Sequence, residues 1–123
     1  MSELSSQLEG AATSGPDPVA LTENYSIVLG PVDVQLYDRW TIYIQNVGGG
    51  GGNDITSVHF QGAPTEDGPW MDIDEALAAD LVSGASDYAP YADSSQKYIQ
   101  VRSKCGAGNT TTAKFWLCMG GLE

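Results

Sequence analysis

A chain of 123 residues with net charge −11, sixteen acids against five bases, has the length of one domain and can bury a two-layer core without staples. That charge argues against nucleic acid and against anionic membranes as partners. Two cysteines are too few for a disulfide scaffold, no run is long or apolar enough to span a bilayer, and the start Met1-Ser2-Glu3-Leu4-Ser5-Ser6 lacks the basic and apolar regions of a secretory signal.

Residues 1–23 read as an arm, flexible or laid along another subunit. Ser, Ala, Gly, Pro and acids dominate it, and Gly15-Pro16-Asp17-Pro18 imposes extended or turn geometry. Leu4, Leu8, Val19 and Leu21 are its sizeable apolar groups, too few to offset the entropy of ordering by themselves. Leu4 and Leu8 are therefore candidate interface residues. The body is expected to run over residues 24–123.

The first strand is predicted over Tyr25–Leu29, stopped by Gly30-Pro31, with weak alternation resuming over Val32–Tyr37. The strongest stretch follows. Trp40, Ile42 and Ile44 alternate with Thr41, Tyr43 and Gln45; after Gly48–Gly52, Val58 and Phe60 alternate with His59 and Gln61. Each flank is a strand with one buried face, and the glycines make the stretch a long-looped hairpin. Turn residues fill 62–69. Trp70–Ile73 is a short strand, with Trp70 anchoring the turn.

Asp74–Gly84 is the one helix-like segment: Asp74 is a fair N-cap, Leu77 and Leu81 stand four apart, and Gly84 suits the C-terminal cap. Loop follows to Ser95, with a short edge strand around Tyr88 and Tyr91. The last strong signal is a hairpin formed by Lys97–Ser103 and Thr111–Met119. One register sets Ile99 against Leu117 and Val101 against Phe115, with Arg102 against Lys114 and Gln100 against Trp116 on the other face. Six to eight short strands, turn clusters and one short helix point to an all-β antiparallel sandwich or jelly-roll-like barrel.

The charges are segregated. Residues 1–93 hold fifteen acids and one base, Arg39; residues 97–114 hold Lys97, Arg102, Lys104 and Lys114 and no acid. This basic hairpin suits contact between neighbouring copies or with an acidic partner, or else pairs internally with Glu66 and Asp67. Trp116 beside clustered bases has the composition of an interface anchor, or else covers a second sheet or the arm. Arg102, Lys104, Lys114 and Trp116 join the candidate interface.

Familiar chemistry is mostly excluded. The glycine run leads into Asn53-Asp54 and a strand, without the Lys-Ser/Thr and helix of a phosphate loop. His59 has no nucleophile elbow near it in sequence, and with Cys105 and Cys118 shows no zinc spacing. Glu66, Asp67, Asp72, Asp74 and Glu75 lack the ordered spacing of a calcium loop. Cys105 and Cys118 can pair, but the pattern favours two small buried thiols in a reducing compartment. No catalytic, metal or cofactor site is expected. Trp70, Tyr88 and Tyr91 form a candidate sugar-stacking platform.

Several stretches together resemble small β-sandwich structural proteins of tailed bacteriophages, including capsid decoration (cement) proteins. They are Tyr-Ser-Ile-Val-Leu-Gly-Pro-Val-Asp-Val (25–34), Trp-Thr-Ile-Tyr-Ile-Gln-Asn (40–46), Glu-Asp-Gly-Pro-Trp (66–70) and Lys-Tyr-Ile-Gln-Val-Arg (97–102). The likeness spans about residues 25–119, is made of hairpin grammar and also fits a tail or fibre module. It implies a non-enzymatic virion protein, often a homotrimer, whose partners are the major capsid protein and its own copies. It carries over no ligand residue.

Overall fold

Alternation rich in β-branched and aromatic residues makes the long central strands, and the computed structural model has nine strands among the residues it describes. Those are 11–13 (backbone only), 18–48, 51–93 and 95–120. In chain order the strands are β1 (Ala11–Thr13), β2 (Val19–Leu21), β3 (Ser26–Asp33), β4 (Arg39–Asn46), β5 (Ile55–Ala63), β6 (Met71–Glu75), β7 (Ser86–Ala92), β8 (Tyr98–Cys105) and β9 (Thr111–Gly120). One sheet runs β9-β4-β7, with β1 and β2 both on the free edge of β9; the other runs β3-β8-β5-β6. All pairings are antiparallel.

The pairing has one rule. β5 joins β6, β4 joins β7, β3 joins β8 and β2 joins β9. The chain is thus one long hairpin, its tip between β5 and β6, rolled up so that successive pairs fall alternately in two sheets. That is the jelly roll, the arrangement allowed by the sequence pattern. The core lies between the sheets. Trp40, Ile42, Ile44, Phe115 and Leu117 of one sheet face Ile55, Val58, Phe60, Ile99 and Val101 of the other, and all are buried.

Faces follow the alternation, but partners do not. The two expected hairpins are inter-sheet crossings: β4 and β5 lie in different sheets, as do β8 and β9. Ile99 and Val101 stand beside Gly62 and Phe60 of β5, whereas Leu117 and Phe115 stand beside Ile42 and Ile44 of β4. Period two fixes which side of a strand is buried and says nothing about which strand lies next to it. Arg102 therefore pairs with His59 and Lys114 with Gln45, so the unfavourable facing of two bases does not arise.

Three further expectations change. Gly30-Pro31 does not end a strand; β3 continues through it with irregular register. Gly30 has φ +99°, and a Cβ there would meet the Gln100 Cα at 2.9 Å, so the irregularity depends on glycine. The segment 74–84 is not a helix. Asp74 and Glu75 belong to β6, the Ala76 N–H donates to the Val58 carbonyl, and Leu81 exchanges both backbone hydrogen bonds with Ile55. Leu77 and Leu81 are buried, as a helix would also have achieved, but along the edge of β5. Two turns of helix are marginal, and the edge of β5 offers the same backbone direct partners.

The boundary of the arm also moves. β1 and β2 pair with their own chain, and Leu21 is part of the core. Five residues separate Thr13 from Val19, while only two separate their partners Trp116 and Ala113. Leu4 and Leu8 lie outside the described residues.

Candidate interaction faces

The outward-facing side chains of the two sheets form two different surfaces. On β8, Gln100, Arg102 and Lys104 point away from the core, because Ile99, Val101, Ser103 and Cys105 fill it. On β9, Lys114 and Trp116 point outward while Ala113, Phe115 and Leu117 fill the core. The four residues expected to act together are thus split: Arg102 and Lys104 are on one face of the sandwich, Lys114 and Trp116 on the opposite one. The basic ribbon of the sequence is not a ribbon in space.

The face carrying Arg102 is a polar network. The Arg102 guanidinium donates to Asp72 Oδ2 at 2.9 Å and lies 3.9 Å from the centre of the Tyr25 ring. Asp72 also accepts from Gln61 Nε2 at 2.9 Å, and Gln61 Oε1 accepts from Gln100 Nε2 at 2.9 Å. The Gln61 hydrogen bond, with the charge of Arg102, holds the Asp72 carboxyl below its ordinary value. The basic partner predicted for Glu66 and Asp67 is therefore engaged by Asp72 of β6.

Beside it, Glu75 is a hub. Its Oε2 accepts the N–H groups of Val58 (2.9 Å) and Leu77 (3.1 Å), and its Oε1 accepts from the Ser57 hydroxyl (2.8 Å) and from His59 Nε2 (2.9 Å). Since Ser57 spends its proton on Glu75, the Tyr25 hydroxyl is the donor in the 2.8 Å contact with Ser57 Oγ. Ser, His and a carboxylate thus meet, but in the wrong order for a nucleophile. The serine proton points at the carboxylate, and no imidazole nitrogen is placed to take it. The arrangement fastens β6 and the following segment to β5.

The opposite face carries aromatic rings. Tyr43 on β4 stands directly beside Tyr88 of β7 and, on its other side, beside Trp116 of β9. The Tyr43 and Tyr88 rings stack with centroids 5.9 Å apart. Both are open to solvent, at 45 % and 62 % exposure. Tyr43, Gln45, Ser86, Asp87, Trp116 and Cys118 line a hollow of about 480 Å³. Cys118 is exposed here, whereas Cys105 is buried, with its thiol pushed up by burial and by Asp54. Both are free, so the expectation of two buried thiols holds for Cys105 alone.

The platform expected from sequence, Trp70, Tyr88 and Tyr91, is not assembled. Tyr91 points inward, stacked on the buried Trp40 (5.6 Å) and against Phe60 (5.7 Å). Tyr88 joins Tyr43 and Trp116 instead. Tyr43 was legible as an outward aromatic on an alternating strand; its neighbours were not. Among the described residues no cluster of His, Cys, Asp and Glu is arranged to hold a metal ion.

No family model matches the chain, and no curated protein sequence matches it. Solved structures do resemble it. A chain from Bacillus endospore appendages, a family of disulfide-linked pili, is 14% identical over 87% of both chains, with a TM-score of 0.51. Pseudomonas aeruginosa AlgX is 8% identical over 89% of this chain and 26% of its own, also at 0.51. The SPBc2 prophage-derived protein YomS is 12% identical over 82% of this chain and 92% of its own, at 0.41. At such identities the first two are likenesses of fold, and the chain shares with them an antiparallel β-sandwich.

Proposed function

We propose that this chain is a non-enzymatic structural protein of a virion, a capsid decoration protein that binds an assembled shell and stabilises it through contacts between copies. The observation that carries this reading is the edge of β9. That edge is covered by two strands of three residues each, from the amino-terminal part of the same chain. Short terminal strands held by backbone hydrogen bonds at a sheet edge are readily exchanged between copies, because the same pairing forms on a neighbour. The sequence resemblance to phage decoration proteins, and a fold class used by viral capsid domains, support the reading. Many copies bound to a shell and to each other favour the assembled state by mass action. Tail or fibre attachment is the neighbouring reading, and the same edge would serve it.

On this reading the contacts between copies lie at the edge of β9. Arg102 is engaged within its own network, so exchange at the edge of β9, and not a basic ribbon, becomes the adhesive element. A chain beginning at Val19 keeps Leu21 in the core and removes β1. Light scattering should find the full chain as a trimer and the shortened one as a monomer. Co-sedimentation with undecorated shells of the same virion should likewise be lost on shortening. A full chain that stays monomeric and remains in the supernatant overturns the proposal.

A further inference from the structure

The face that carries Tyr88, Tyr43 and Trp116 borders the edge proposed to exchange, since Thr13 of β1 stands beside Trp116, and it has the form of a ligand site. The three residues form one row across three adjacent strands, because Tyr43 is in register with both of the others. Neighbouring strands are about 4.8 Å apart, so the row repeats at roughly the length of one pyranose ring. The next row toward the β4 carboxyl end is polar: Ser86, Gln45 and Lys114 stand side by side in the same two ladders. The surface is therefore a strip of aromatic side chains with a parallel strip of hydrogen-bonding groups. A hollow of about 480 Å³ is lined by Tyr43 and Trp116 of the first strip and by Gln45 and Ser86 of the second, within the size range of small-ligand sites.

We infer that this row is a saccharide-binding site, taking an uncharged polysaccharide whose rings stack on Tyr88, Tyr43 and Trp116. A pyranose has one face of C–H groups and a rim of hydroxyls. The C–H face meets the negative face of an aromatic ring, and the rim meets donors and acceptors such as Gln45, Ser86 and Lys114. Competing occupants fit less well. Three rings across about 10 Å of sheet fall far short of the roughly 800 Å² per partner that a stable protein contact needs. An acidic polymer would meet repulsion from a chain of net charge −11. An uncharged chain of rings meets neither objection. The inference does not rest on the virion reading: that reading concerns backbone pairing at the edge of β9, this one the outward side chains of β7, β4 and β9.

The test is affinity electrophoresis of the full chain in native gels containing xylan, hydroxyethyl cellulose, laminarin or alginate. At least one of the three uncharged polymers should retard the protein. Trp116→Ala and Tyr43→Ala should each weaken that retardation at least about tenfold in apparent affinity. Leu36→Ala, 72 % exposed and not part of the row, should leave it unchanged. Tyr88→Ala serves as a further variant should either of the first two lose its native circular dichroism. The inference is overturned if no uncharged polymer retards the chain, if alginate alone does so, or if retardation survives loss of the rings.

Discussion

Asn46 is the place where four parts of the chain meet. It is fully buried; its Nδ2 donates to the carbonyls of Asn53 and Leu81, both at 2.9 Å, and its Oδ1 accepts from the Thr111 hydroxyl at 2.7 Å. Its own backbone exchanges hydrogen bonds with Ala85 and Gly84. One side chain thereby ties the end of β4 to the glycine loop, to the segment after β6 and to the start of β9. Asn46→Ala strands a buried hydroxyl and removes two buried partners, and should lower the stability measured by urea unfolding by about 2–3 kcal/mol. The signal was present in the sequence. Asn46 shares the phase of Trp40, Ile42 and Ile44, and a polar residue in an inward phase has to find partners inside. Which partners it finds is decided by residues up to 65 positions away, and alternation carries no such information.

Strand faces were legible because period two is a local property. The inward sets of β4, β5, β8 and β9 agree with the pattern. The order of strands has a local trace too: Pro31 and Pro90 lie on β3 and β7, which are edges, and the four central strands contain no proline. Proline lacks the N–H that a central strand needs on both sides. The helix over 74–84 was the opposite case. Its cap and leucine spacing are real features of the sequence, but Glu75 meets four donors around β5, and that tertiary demand outweighs weak local propensity.

β6 is consequently an edge element held by its acids, and this sets its response to pH. Asp72 has its carboxyl lowered from 3.8, by Gln61 first and also by Arg102 and His59. Asp93 is lowered as well, by Gln96 and Ser95. A folded value below the unfolded one means that the unfolded chain takes up protons first. The contribution is complete above the ordinary aspartate value and disappears as pH falls through the lower folded values. Thermal unfolding between about pH 5 and pH 2 should show falling stability on the acid side. The fall should be shallower in Asp72→Asn. An equally steep fall in that variant would move the acid sensitivity to other groups.

At the scale of the whole molecule, the class of fold followed from the sequence, while the roll did not. Two apolar faces and turn clusters require two layers, but several strand orders satisfy them. The one adopted places the basic residues 97–114 on both outer faces and leaves a contiguous aromatic row, an arrangement invisible to a reading that treated β8 and β9 as partners. Of the four bases of that stretch, Arg102 meets an acid of the other segment in space, Asp72 of β6.

Take the rolled hairpin and divide it at its tip, between β5 and β6. Among the described residues every ladder then joins a strand of the first half to a strand of the second, and neither half holds a pair of its own. A growing chain on the ribosome can close no native ladder until β6 emerges, and cannot complete either sheet before β9. Fragments 1–66 and 67–123 should each show disordered circular dichroism alone. On mixing they should regain the β signal at a rate that rises with concentration, which would make this protein a split reporter whose two parts are silent until they meet.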